Sequence, residues 1–150
     1  MVSLSGKITR SIQILLVEDN LGDVTLILEA FKGSKHPIKV TRVKDGEEAL
    51  GLLQGTRGPD SNYRPDIILL DLNMPRKSGF EVLAEIKGDP RLREIPVVVL
   101  TNSKLQDDVH RAYESNANFY IVKPTDLDQL FVAMRYVEDI WLAGVGKVPD

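Results

Sequence analysis

Residues 66–75 read DIILLDLNMP: four apolar residues between two aspartates, followed by a polar, proline-containing turn. A run this short and uniformly apolar predicts a strand over residues 66–70 that is buried on both faces, with Asp71 at its carboxyl end. Upstream, Ile12–Val17 reads the same way and ends at Glu18 and Asp19. Downstream, residues 96–100 repeat the pattern and end at Thr101, and residues 118–122 read as a fifth strand that ends at Lys123. Ile38–Val43 alternates apolar and polar residues instead, which predicts a strand with one covered face at an edge of the sheet. Strands that are apolar throughout must be covered on both sides, and helices are the natural cover.

Helix-period segments lie between these runs. Leu21–Phe31 places Val24, Ile27, Leu28 and Phe31 on one face. Residues 47–53 form a second segment. Residues 78–87 form a third, opened by the capping pair Ser78 and Glu81 and stopped by Gly88, Asp89 and Pro90. Ser103 and Gln106 open a fourth over 103–114. A fifth, over 126–142, carries Leu127, Leu130, Phe131, Met134, Val137 and Trp141 as one stripe. Residues 55–64, GTRGPDSNYR, read as a loop. Strand and helix alternating five times predict right-handed crossovers and a doubly wound (βα)5 domain, a five-stranded parallel sheet with helices on both faces. The expected limits are a tail over 1–11, one domain over 12–143 and a tail over 144–150.

The composition suits such a domain. With 43% hydrophobic and 27% charged residues, the 150-residue chain matches soluble globular usage. A net charge of −3 offers no footprint for nucleic acid or an anionic membrane. The absence of cysteine excludes disulfides, thiolate metal sites and a cysteine nucleophile. No run approaches the ~20 apolar residues of a membrane span, and no export signal opens the chain, so the expected location is the cytoplasm.

In a doubly wound sheet, ligands bind beyond the carboxyl ends of the strands. Glu18, Asp19, Asp71, Thr101 and Lys123 all stand there. Carboxylates crowded together repel one another unless something neutralises them. A hard divalent cation with oxygen ligands, such as Mg²⁺, suits the set, and no Cys/His cluster suggests zinc. A lysine and a hydroxyl at neighbouring strand ends supply the charge and the donor that phosphate oxygens need. Together these groups suit in-line phosphoryl transfer to a carboxylate nucleophile.

VEDN at 17–20, LLDLNMP at 69–75, VVVLTNS at 97–103 and YIVKP at 120–124 together resemble the response-regulator receiver family, which has the flavodoxin-like fold. The resemblance implies that Asp71 accepts a phosphoryl group from a histidine kinase. It also implies that Glu18, Asp19, Asp71 and the backbone carbonyl of Asn73 hold Mg²⁺. Thr101 and Lys123 would bind phosphoryl oxygens, Thr101 and Tyr120 would form the switch, and the Lys123–Pro124 bond would be cis. The loop over 55–64, the stretch IKGDPRLREIPVVVLTNS at 86–103 and the Trp141-bearing helix resemble, more narrowly, phytochrome-partner response regulators. That implies a stand-alone regulator fed by a light-sensing kinase, and a homodimer formed through the C-terminal part of the fold. Its downstream target is a protein that no motif identifies.

Each residue also has a plainer reading. Asp71 alone could be a turn former, and Glu18 and Asp19 could merely open a helix, with Asn20 its cap and Asp23 in its first turn. Tyr120 divides between core packing and switching. Trp141 divides between completing the core and anchoring a dimer, with the interface favoured. His36 and His110 read as surface residues. A phosphatase with an aspartyl nucleophile would need a second acid two residues on, where Asn73 stands, so no enzyme acting on external substrates is expected. A receiver fold that is never phosphorylated, serving as an interaction module, and a phosphate sink are the remaining alternatives.

Overall fold

The computed structural model describes residues 11–55, 63–72, 74, 77–101, 119–124 and 126–145. In chain order the elements are β1 (Ile12–Val17), α1 (Leu21–Phe31), β2 (Ile38–Val43), α2 (Gly46–Leu53), β3 (Ile67–Leu70), α3 (Gly79–Gly88), β4 (Val97–Thr101), β5 (Phe119–Val122) and α4 (Leu127–Val145). The helix expected over 103–114 lies outside the described residues, as do most of the two tails. The last helix continues to Val145, past the expected domain limit at 143.

All pairings in the sheet are parallel, in the order β2-β1-β3-β4-β5. β2 is an edge strand, as its alternation predicts. Side chains alternate across the pleat, so each central strand feeds two cores. Leu15, Val17, Ile68, Leu70, Val97 and Val99 face α2 and α3. Ile14, Leu16, Ile67, Leu69, Val98 and Leu100 face α1 and α4. This two-sided burial is why those strands are apolar almost throughout, with Gln13 of β1 and Thr101 at the end of β4 the polar exceptions. The order reverses between β1 and β3, and that crevice is where a site forms in this topology.

The helix starts are set locally. Asn20 Oδ1 accepts from the Asp23 amide at 2.9 Å, Asp45 Oδ1 from Glu48 at 2.8 Å and Ser78 Oγ from Glu81 at 3.3 Å. Each satisfies an amide that the first turn leaves without a partner. Beyond the Gln54 cap of α2 stands Gly55, whose φ of 73° lies in the left-handed region that favours glycine.

The apolar stripes are narrower than their spacing implies. In α1, Val24, Ile27 and Phe31 are buried but Leu28 is exposed. In α4, Leu130, Met134, Val137 and Trp141 are buried, whereas Leu127 and Phe131 face outward. Each helix covers only the stripe that meets the strand layer, about 100° of its circumference. Trp141 belongs to the core beneath α1 and α4, so the reading that favoured an interface is corrected.

Candidate metal and phosphoacceptor site

The strand ladders continue one residue beyond β1 and β3, and this fixes the site. The Glu18 amide donates to the Val43 carbonyl and the Asp71 amide to the Val17 carbonyl, both at 3.1 Å. Glu18 and Asp71 are therefore anchored by backbone at the switch point, at 1% and 6% exposure, while Asp19 is open to solvent. One carboxylate oxygen from each of the three acids lies within 4.8 Å of the others.

Lys123 enters from the end of β5. Its Nζ lies 2.5 Å from Glu18 Oε1, 2.8 Å from Asp23 Oδ2 and 3.5 Å from Asp71 Oδ2. Burial pulls the ammonium toward neutrality, but its hydrogen bonds to Asp23 and Glu18 and the charge of Asp71 outweigh this and raise its pKa. Burial has the opposite outcome at Glu18, whose pKa is pushed up to about 7. The neighbouring Asp71 adds to the rise, against the opposing pull of Lys123. One ammonium does not neutralise so many carboxylates, and a proton on Glu18 makes up part of the deficit.

The donor set is all oxygen, in a cluster short of positive charge and open to water on the Asp19 side. That fits a hard divalent cation that keeps some of its waters, and it fits a soft or nitrogen-preferring metal poorly.

The structure thus brings together Glu18, Asp19, Asp71 and Lys123. Thr101 ends β4, paired with Val122 across the sheet, but its side chain lies outside the described residues, as does Asn73. Tyr120 is half-buried against the α2–α3 core. The Lys123–Pro124 bond corrects one expectation: no peptide bond among the described residues is cis. The trans form is preferred by about 0.5–1 kcal/mol before proline, and Lys123 reaches the acids from it.

Two residues of the site were not anticipated. Asp23 reads in the sequence as a first-turn acid, yet its side chain holds Lys123. Arg42, on the edge strand, donates from Nε to the Glu18 carbonyl at 3.0 Å and from Nη2 to the Asp19 carbonyl at 3.3 Å, steadying the acidic loop. For Arg42 the available signal was its place one residue before the end of β2, level with Leu16 of β1.

The response regulator receiver domain model matches residues 14–135. The chain belongs to that family. The response regulator Rcp1 of Synechocystis sp. is 45% identical over 132 residues, covering 88% of this chain and 90% of Rcp1. Among solved structures, the phosphorylated cyanobacterial phytochrome response regulator RcpA superposes with a TM-score of 0.82 at 48% identity, covering 90% of this chain and 96% of RcpA. The Mn²⁺-bound form of Rcp1 superposes at 0.79 with 45% identity, covering 87% and 94%. The fold expectation holds, and the protein is a response regulator related to phytochrome partners. Among the described residues, no helix is long and apolar enough to cross a membrane.

Proposed function

We propose that this receiver accepts a phosphoryl group onto Asp71 from a phytochrome-type histidine kinase in the cytoplasm, in a reaction that requires Mg²⁺. The observation that carries this reading is Asp71 itself. It is a buried carboxylate at the switch point, with two further acids within 4.8 Å and an ammonium 3.5 Å away.

Glu18, Asp19, Asp71 and the backbone carbonyl of Asn73 would hold Mg²⁺, which would supply positive charge to the oxygens of the transferring phosphoryl group. An Asp71 oxygen attacks phosphorus in line, the P–N bond of the kinase's phosphohistidine breaks, and the imidazole leaves. Lys123 balances charge on one phosphoryl oxygen, and the Thr101 hydroxyl bonds another. The chemistry is confined to the protein's own phosphorylation and dephosphorylation.

The new group adds about −1.5 to −2 charges at the strand ends. Thr101 and Tyr120 carry the change to the face formed by β5 and α4, which meets a second copy of the chain and a downstream protein. Leu127, Phe131, Val132 and Tyr136 supply the apolar part of that face. The names of the relatives support the kinase assignment, and the Mn²⁺-bound state of Rcp1 supports the metal.

The test is phosphotransfer from an autophosphorylated phytochrome-type kinase. Label should appear on the wild-type protein and be absent from Asp71→Ala and from a chelated reaction. Label retained by Asp71→Ala would overturn the assignment.

A further inference from the structure

Asp23 has two contacts with different consequences. Its amide is capped by Asn20 Oδ1 at 2.9 Å, which any residue in the first turn could satisfy. Its carboxylate holds Lys123 Nζ at 2.8 Å across 100 residues of sequence, which only an acceptor side chain at this place can do. Asp23 is not among the three acids whose oxygens converge. It therefore touches the lysine without joining the metal-ligand set.

An ammonium is a compact charge with three donors, and Lys123 turns them toward Glu18, Asp23 and Asp71. Glu18 and Asp71 are the acids a divalent cation would claim. A cation and Lys123 thus compete for the same carboxylates, and the lysine needs another partner once the cation arrives. With its side chain only 8% exposed, an ammonium left without one would bear a desolvation cost.

Building on the phosphoacceptor reading above, we propose that Asp23 is a positioning residue that takes the Lys123 ammonium when a divalent cation displaces it from Glu18. It keeps that ammonium beside Asp71 for the incoming phosphoryl group and so strengthens metal binding. The role belongs to Asp23 through Lys123. General negative charge at the start of α1 would not depend on the lysine.

The experiment is Mg²⁺ binding by calorimetry to the full chain at fixed ionic strength. The variants are Asp23→Asn, Asp23→Glu, Lys123→Met and the double Asp23→Asn/Lys123→Met. Asp23→Asn should weaken Mg²⁺ binding by roughly three- to tenfold, the size of an ordinary coupling between contacting side chains. Asp23→Glu should recover part of that loss. In the Lys123→Met background, Asp23→Asn should change affinity by less than about 1.5-fold, because the coupling has no partner left. Equal losses in both backgrounds would mean that charge alone acts, and an unchanged affinity in Asp23→Asn would mean that the residue only serves the helix. Either result overturns the inference and leaves the phosphoacceptor reading standing. Wild-type protein that binds no Mg²⁺ would remove both.

Discussion

Lys123 Nζ lies 2.5 Å from Glu18 Oε1, and the two groups, although buried together, are biased toward different charge states. The lysine is held charged, while the carboxyl is pushed toward its protonated form. Burial disfavours both charges. At Glu18 it is the main cause of the rise, with Asp71 adding to it, whereas at Lys123 the surrounding acids outweigh it and stabilise the cation.

The pH dependence follows from Glu18. Its pKa rises from 4.5 to about 7 on folding, so between those values the folded state binds more protons than the unfolded state. Stability from this group is present at low pH and falls as pH rises through that window. Without divalent cations, Glu18→Gln should gain on wild type by up to about 3 kcal/mol between pH 5 and pH 8. Urea denaturation of both proteins at each pH measures the difference. Saturating Mg²⁺ should restore the wild type at high pH, because a cation favours the ionised carboxylate.

Gly79 has no room for a side chain. A Cβ there would stand 2.4 Å from the Asp71 carbonyl oxygen and 2.5 Å from Leu72 Cα, both backbone atoms. Gly79→Ala should lose about 1–3 kcal/mol of stability and disturb the acceptor segment, reducing phosphorylation as well. Gly88, at the end of the same helix, meets nothing within 4 Å. Gly88→Ala should be neutral or stabilising by up to about 1 kcal/mol, and the pair is checked by thermal unfolding.

Trp141 and Val132 share a helix and separate two roles. Trp141 is 6% exposed and packs in the core, so Trp141→Ala should cost about 3–5 kcal/mol whatever the oligomeric state. Val132 is 61% exposed, so Val132→Glu should change monomer stability by no more than about 0.5 kcal/mol. It should weaken self-association, as read by analytical ultracentrifugation. A monomeric wild type, or a dimer indifferent to Val132→Glu, would contradict the proposed dimer face.

The central strands β1, β3 and β4 were legible because burial on both faces favours a nearly continuous apolar run, and the edge strand β2 by its alternation. β1 and β2 match their expected limits, and the other strands differ by one residue at one or both ends. The rim was legible for the same reason: Glu18, Asp19, Asp71 and Lys123 are the polar residues with which such runs stop. What escaped was pairing across the chain. Asp23 looks like a helix-start acid until the end of β5 is placed beside it. Glu138 looks like an exposed helix acid, yet it is buried with Ser34 Oγ bonded to it and His36 Nδ1 3.4 Å away. His36 is accordingly half-buried rather than a simple surface residue. Helical spacing predicts which face is apolar, but the width of the covered stripe depends on the layer beneath, so Leu28, Leu127 and Phe131 were assigned to the core and lie outside it.

The most direct test of Asp71 as acceptor needs no kinase. Purified protein is incubated with acetyl phosphate and Mg²⁺, and its intact mass is compared with that of Asp71→Ala and of a chelated sample. A single phosphoryl adduct that requires both Asp71 and Mg²⁺ is the expected result. An adduct that persists in Asp71→Ala, or one formed equally well under chelation, would contradict the account.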